Sequence, residues 1–308
     1  MAEPDALAAV YALARERGAL FDLSGRAKWR LSGTDRIRYL NGQVTNDIRR
    51  VRADAAMAAC VTTAKGRLCG LVFVSAGPDF LLVDAEEELR ESLGARLERY
   101  IIADDATLED TTDEECLLHL LPPPGAVVPP DAPGGELRAS ARFGRAGWDI
   151  MAARGERERL MAALAANYVE IPGELAESMR IEAGVPRWGA ELTGETLPPE
   201  AGLDASAIDY VKGCYIGQEV ISRIKSVGHV NRSLAGFTSP SRLAAGMTLH
   251  PEDEPETNAG ELTSAAWSFG LDTWAALGYH KRGFAHRPLR ARSPDGATAE
   301  VKIRAPVP

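Results

Sequence analysis

Apolar residues recur every three to four positions in several stretches of the chain, and this spacing predicts α-helices. Within residues 86–100, Leu89, Leu93 and Leu97 lie on one stripe, and acidic residues occupy the first turn, which is typical of a helix packed on a core. A short helix should also begin after Thr34 or Asp35, either of which could cap it. The helices predicted by spacing and end signals cover residues 4–18, 86–100, 156–167 and 174–183.

Other apolar runs are short and punctuated by glycine and proline, which predicts β-strands. In the first part of the chain these runs cover residues 57–62, 68–75 and 80–83. Closely spaced runs later in the chain cover residues 234–238, 247–250, 260–264, 275–279 and 298–303. Regular short strands of this kind predict a small β-barrel. We therefore expect a first domain over residues 1–235 and a barrel domain over residues 236–308. Residues 122–133 contain six prolines and are predicted to form an exposed excursion.

Composition narrows the class of protein further. The 308 residues carry a net charge of -9, which disfavours nonspecific binding to nucleic acid. No apolar run reaches the length of a membrane helix, and the amino terminus has no basic targeting segment, so a cytoplasmic location with no membrane contact is expected. The four cysteines are far apart, without the spacing of a zinc site or a disulfide framework.

One segment combines glycines, a lysine and a cysteine at the predicted start of a helix. Gly213 and Gly217 permit backbone geometries closed to other residues, and residues 218–224 have helical spacing. Cys214 would then lie near a helix amino terminus, where the helix dipole and the Lys212 ammonium favour a reactive thiolate. The alternative is that Cys214 is a small buried residue in a tight turn.

A second segment, residues 180–189, places a carboxylate and a flat aromatic ring near a helix end. Glu182 could accept two parallel hydrogen bonds from the amino-pyrimidinone edge of a pterin, and Trp188 offers an apolar face. The alternative for Glu182 is an ion pair with Arg180 or Arg187.

These segments also carry a resemblance to a known family. Four blocks occur in order along the chain: residues 40–47, 62–67, 180–189 and 212–219. Together they resemble the YgfZ family of folate-binding proteins, which includes mitochondrial iron–sulfur assembly factors. That family is related to the aminomethyltransferase of the glycine cleavage system. Residues 236–308 resemble the YgfZ family only loosely.

The resemblance implies a fold, a ligand and a site. The fold is an α+β, aminomethyltransferase-like folate-binding domain with a central cavity, followed by a C-terminal β-barrel. The cofactor is tetrahydrofolate or a one-carbon derivative, and the partners are iron–sulfur proteins or their assembly machinery. The residues carried over by the resemblance are Lys212 and Cys214 as the functional pair, and Glu182, Asn41, Thr45, Trp188, Tyr215 and Arg223 as cofactor-binding residues. Arg223 begins a basic run that could neutralise the folate tail or simply be a solvated helix end.

One departure from the related aminomethyltransferases bears on catalysis. Those enzymes carry paired aspartates after the glycine of the second block, whereas this chain has Cys69 and Gly70 at the corresponding positions. Neither residue replaces a positioned carboxylate as a general acid or base. We therefore expect an accessory protein for iron–sulfur cluster assembly or repair, acting through cluster enzymes such as those that modify tRNA, rather than a self-contained enzyme. The alternatives are a folate-dependent aminomethyltransferase or other one-carbon transferase, and a scaffold with an empty cavity.

Overall fold

The computed structural model describes residues 4–126 and 134–304. The helices are α1 Pro4–Arg17, α2 Arg36–Gln43, α3 Arg90–Glu98, α4 Arg157–Leu164, α5 Gly173–Glu182 and α6 Gln218–Ser226, with short 3-10 turns at Ile48–Arg50, Glu87–Leu89, Arg154–Glu156 and Pro198–Ala201. The strands before the barrel are β1 Ala19–Asp22, β2 Ala27–Ser32, β3 Met57–Thr62, β4 Leu68–Ala76, β5 Leu81–Ala85, β6 Thr107–Asp110, β7 Glu115–Leu121, β8 Glu136–Ser140, β9 Gly147–Ala153 and β10 Val169–Glu170. The barrel strands are β11 Arg232–Ser239, β12 Thr248–Pro251, β13 Gly260–Ser268, β14 Thr273–Lys281, β15 Leu289–Arg292 and β16 Thr298–Arg304.

Two five-stranded sheets form the first part of the molecule. The first sheet has the order β10-β1-β7-β9-β8, and the second has the order β3-β4-β5-β2-β6. Leu82 of the second sheet meets Leu117 and Met151 of the first sheet in a buried cluster, so the two sheets are in contact through apolar side chains. Because each sheet draws strands from distant parts of the chain, the space near their junction is built by long-range contacts.

The predicted helices and strands are present, with shifted ends. Leu89, Leu93 and Leu97 are buried against the second sheet, as their four-residue spacing predicts. The helix α1 ends where Gly18 takes a positive φ of 104°. Asp35 lies at the amino end of α2, but its side chain makes no capping hydrogen bond there. Residues 127–133 of the proline-rich stretch lie outside the described part of the chain.

The last six strands close into a barrel with the order β11-β14-β13-β12-β15-β16. The predicted division after residue 235 falls inside β11, which begins at Arg232. The helix α5 packs on the barrel, where Ile181 contacts Ala275 and Leu277. Among the described helices, none combines the length and apolar character that a membrane crossing requires.

Candidate functional site

Two adjoining cavities lie where the second sheet, the end of α5 and the barrel meet. The larger has a volume of about 860 Å³ and the smaller about 230 Å³. Both are lined by Leu71, Phe73, Arg142, Val185 and Pro186. Barrel residues of β11, β14 and β16 complete the larger cavity, so neither part of the chain encloses it alone. A drug-sized ligand typically needs a cavity of several hundred cubic ångströms, which the pair supplies.

Strand β4 forms one wall of the cavities through alternate side chains. Leu71 and Phe73 line the space, whereas Val72 and Val74 belong to the core beneath α3. A side chain at Gly70 would also point toward α3 and the turn before it, because a Cβ atom there would lie 3.1 Å from a methyl carbon of Leu93 and 3.0 Å from one of Leu89. Gly70 is therefore not the position from which this strand would present a carboxylate to the cavity. The residues that do face it, Leu71 and Phe73, are both apolar.

A buried charge network supports the cavity wall behind Phe73. The Arg142 guanidinium donates two hydrogen bonds to Asp84, at 2.8 and 2.6 Å, and two more to Asp149, at 3.0 and 2.8 Å. It also lies 4.0 Å from the centre of the Phe73 ring. His119 Nδ1 lies 2.7 Å from Asp149 Oδ1. The network holds a planar cation and an aromatic ring together at the wall.

The ionisation of this network follows from burial and its opposed charges. Burial alone would raise the pKa of Asp149, but the Arg142 guanidinium and the His119 ring lower it to about 2. Burial lowers the pKa of His119 despite the neighbouring Asp149 carboxylate. The network is thus a charged arginine between two carboxylates, with a neutral histidine donating to Asp149.

The smaller cavity contains the predicted Trp188 together with an acid that the sequence reasoning missed. Glu177 lines it and accepts hydrogen bonds from Arg180, at 2.8 and 2.6 Å, and from Arg187, at 3.4 Å. Burial would raise the pKa of Glu177, but the Arg180 hydrogen bond and the two arginine charges lower it. Glu177 precedes the recognised block, so no motif signals it.

The structure turns Glu182 away from both cavities. Its carboxylate accepts hydrogen bonds from the Tyr11 hydroxyl at 3.0 Å, the Ser268 hydroxyl at 2.8 Å and the Gly270 amide at 3.1 Å. It borders a space of about 30 Å³, while the next residue, Ala183, lines the large cavity. Burial and the Glu182 charge raise the pKa of Tyr11 to about 12. In this structure Glu182 joins α1, α5 and a barrel turn.

The glycine-bracketed segment has the backbone geometry that its sequence predicts. Gly217 takes a φ of 90°, and α6 begins at the next residue. A Cβ atom at Gly217 would lie 2.5 Å from the Thr63 carbonyl oxygen and 2.7 Å from the Thr62 hydroxyl oxygen. Two of the four ordered sequence blocks are therefore in direct contact at this glycine.

Lys212 is buried and bonded to the backbone of another block. Its ammonium donates to the carbonyl oxygens of Asn41, Val44 and Asn46 at 2.6, 2.6 and 2.7 Å. Burial lowers its pKa to about 8, despite the neighbouring carboxylates of Asp47 and Asp209. All three N–H donors of the ammonium are used by these carbonyls. Lys212 therefore holds residues 41–46 against the segment that follows Asp209.

The remaining predicted site residues cluster around Lys212 and do not line either central cavity. The Cys214 thiol is exposed, so the alternative of a buried cysteine does not hold. Thr45 is fully buried and donates to the Ala207 carbonyl at 2.6 Å. The Asn41 side-chain oxygen accepts from the Ile48 amide. The Tyr215 ring is buried, and its hydroxyl has no hydrogen-bond partner among the described residues.

Arg223 lies on the solvent side of α6. It is exposed and pairs with Glu219 one helical turn away, with a separation of 2.8 Å. The structure therefore separates the predicted site residues. Trp188 lines the smaller central cavity, whereas the residues around Lys212 and Cys214 lie outside both central cavities. Within residues 4–126 and 134–304, no cluster of histidine, cysteine and acidic side chains could hold a metal ion.

The fold is aminomethyltransferase-like, with a six-stranded C-terminal barrel. The structure of glycine cleavage system aminomethyltransferase T from Bartonella henselae superposes with a TM-score of 0.84, covering 99% of this chain and 90% of that chain at 16% identity. The predicted fold class is confirmed.

Curated relatives fall in both branches that the sequence suggests. An aminomethyltransferase from Rubrobacter xylanophilus is 26% identical over 86% of this chain and 76% of that protein. A tRNA-modifying protein YgfZ from Serratia proteamaculans is 29% identical over 94% of this chain and 92% of that protein. No family model matches the chain. The chain is similar to aminomethyltransferase-like and YgfZ-like proteins to comparable degrees, and these identities do not separate the two branches.

Proposed function

We propose that this protein binds a reduced folate in the two central cavities and acts as an accessory protein for iron–sulfur cluster assembly or repair, not as an aminomethyltransferase. The observation that carries the choice is the wall formed by β4, which presents Leu71 and Phe73 to the cavity and no acid. A one-carbon transferase needs a group that moves a proton at the folate nitrogen. None of the described residues that line the larger cavity is acidic, and Glu177 of the smaller cavity is held ionised by its hydrogen bonds from Arg180 and Arg187.

The cavities have features that suit a folate. The Phe73 and Trp188 rings provide flat apolar surfaces for the pterin and aminobenzoyl rings. Glu177 lines the smaller cavity together with Trp188, and we assign to it the hydrogen bonds to the amino-pyrimidinone edge that the sequence assigns to Glu182. Arg304 lines the larger cavity, where its positive charge suits an anionic glutamyl tail.

The site for the iron–sulfur role is the exposed Cys214. It lies on a loop that Lys212 and Gly217 fix to two other sequence blocks. A fixed, accessible thiol is suited to contact a partner protein, whereas a buried cysteine is inert. The similarity to a tRNA-modifying protein over 94% of this chain supports an action on cluster enzymes that modify tRNA.

Calorimetric titration with 5-formyltetrahydrofolate tests the folate half of the proposal. We expect saturable binding that Leu71→Trp weakens at least about tenfold, because the larger ring fills the cavity. Leu13→Trp is the matched control, since Leu13 is exposed on α1, and it should bind as the parent does. No binding by the parent protein, or equal binding by Leu71→Trp, would reject the folate site.

Replacement of Cys214 by alanine tests the accessory half. Cys214 does not line the cavities, so folate binding should persist while cells carrying only Cys214→Ala lose activity of their iron–sulfur enzymes. Full cluster-enzyme activity in those cells would contradict the proposal. Turnover of methylamine donors with tetrahydrofolate by the purified protein would instead support the transferase alternative.

A further inference from the structure

A third cavity, of about 560 Å³, opens between the two sheets and shares no lining residue with the central pair. It is bordered by Arg30 and Phe80 on one side and by β8 and β9 on the other. We propose that this cavity is a second ligand site, which binds a small zwitterion of the α-amino-acid class through Arg138. The proposal is independent of the folate function.

Arg138 is the first reason. Its side chain is only 3% exposed, yet within the part of the chain that the structure describes its Nε and Nη1 atoms have no hydrogen-bond partner, and only Nη2 is used, by Glu136. The acid directly opposite on the neighbouring strand is Asp149, whose carboxylate is occupied by Arg142 and His119. Buried guanidinium donors are rarely left without acceptors, so the arrangement implies an acceptor supplied from the cavity.

The guanidinium also selects for anionic oxygens. Charge-assisted bonds from arginine to a carboxylate or a phosphate are stronger than bonds to neutral acceptors. Because Glu136 is 64% exposed, it can move into solvent and release Nη2. A ligand oxygen pair would then be held by the fork of Nε and Nη2.

The rest of the lining favours a carboxylate with a nearby cation over a phosphate. Besides Arg30 and Arg138, the cavity presents three acids, Glu114, Glu115 and Glu136. Arg30 is already paired with Glu115, and Glu114 is exposed. A doubly charged phosphate would be repelled by the Glu114 and Glu115 carboxylates, whereas an ammonium beside the ligand carboxylate would be attracted to them.

An apolar side chain completes the expected ligand. The buried side chains of Leu82 and Met151 and the half-buried Phe80 ring line the cavity. The Arg30 guanidinium lies 4.8 Å from the centre of that ring and forms the outer rim. These surfaces suit an aliphatic or thioether side chain of modest size.

The test is a calorimetric comparison of L-methionine, acetate, methylammonium and inorganic phosphate on the full-length protein. Methionine supplies both charges, and the other probes supply one kind each. We expect methionine to bind at least about tenfold more tightly than acetate, with phosphate weaker still. Phosphate binding as tight as methionine, or no binding by any probe, would overturn the proposal.

Variants then assign the effect to this cavity. Arg138→Met should reduce methionine affinity at least about tenfold, and Glu136→Gln should raise it severalfold by releasing Nη2. Arg282→Met, an exposed barrel position, is the matched control and should bind as the parent does. If Arg138→Met does not fold, Arg138→Lys replaces it, with weaker binding expected because lysine lacks the fork. Unchanged affinity in the Arg138 variant and in Glu136→Gln would reject Arg138 as the binding residue.

Discussion

At the residue scale, the lysine of the 212–219 segment has a different role from the one its neighbours suggest. From sequence, the Lys212 ammonium would activate the thiol at Cys214. In the structure Lys212 is 4% exposed, and its ammonium donates to three backbone carbonyls of residues 41–46. The Lys212 ammonium therefore stabilises the backbone of residues 41–46, to which the 212–219 segment is bonded.

We expect Lys212→Met to lower the free energy of unfolding by about 2–4 kcal/mol, because three buried carbonyl oxygens lose their donor. Urea denaturation at pH 7 measures the change. Lys225→Met is the matched control on α6, where the side chain is exposed, and should change stability by less than about 0.5 kcal/mol. A small effect of Lys212→Met would show that water or neighbouring groups replace the ammonium.

The same variant separates the structural role from thiol activation. If the ammonium is fully engaged by the carbonyls, alkylation of Cys214 by iodoacetamide should change by less than about twofold in folded Lys212→Met protein. A drop of tenfold or more would restore the activation hypothesis. The control is the parent protein at the same pH and ionic strength.

At the element scale, the entrance to α6 depends on one glycine. Gly217 has a φ of 90°, and an added Cβ atom would lie too close to the Thr63 carbonyl oxygen and the Thr62 hydroxyl oxygen. The start of α6 therefore packs directly against the end of β3. The Thr62 hydroxyl also donates a 2.6 Å hydrogen bond to the Ile216 carbonyl. This contact fixes the loop that carries Cys214.

Gly217→Ala should destabilise the protein by more than about 2 kcal/mol, since it adds a close contact to the cost of a left-handed backbone. Gly189→Ala is the informative comparison, because Gly189 has a φ of 81° but no atom within 4 Å of its added Cβ. That control should cost only about 1–2 kcal/mol. Equal losses in thermal denaturation for the two variants would mean that the contact with Thr62 and Thr63 can relax.

At the scale of the whole molecule, the two sheets share a buried network whose charge depends on pH. His119 is fully buried, and its pKa is lowered, so the folded protein holds it neutral where an unfolded histidine, with a pKa of about 6.5, binds a proton. Stability is therefore present above about pH 6.5 and is lost as the pH falls below it. Asp149, with its pKa lowered to about 2, adds a second loss below about pH 4.

We expect the free energy of unfolding to fall between pH 7 and pH 5 with a slope of up to about 1.4 kcal/mol per pH unit from His119. His119→Gln should flatten this slope, although it also lowers stability at pH 7. His229→Gln, at an exposed position, should leave the slope unchanged. A slope that persists in His119→Gln would assign the acid sensitivity to other groups.

The sequence by itself determined the local architecture. The spacing of Leu89, Leu93 and Leu97 marks a buried helix face, and a glycine before residues 218–224 marks a helix start, because both features are set by nearby residues. The short late strands likewise predict a barrel, which the closed six-stranded sheet confirms. The four ordered sequence blocks predict the fold class through their resemblance to a known family, and each block is defined by a few neighbouring residues.

Only the tertiary structure decided what faces the cavities. Leu71 rather than Gly70 lines the space because strand pairing and a bulge opposite Thr62 set which side chains point inward. Glu177 rather than Glu182 lines the smaller cavity because the two residues lie on different faces of α5, and the end of α5 that carries Glu182 packs against the barrel and α1. The roles of Arg142 and Arg138 are likewise not predictable from sequence, because both side chains are buried by strands that are distant along the chain. The local spacing of apolar residues determines which helices and strands form. Long-range packing determines which of their faces meet, and the side chains on those faces line the sites of this protein.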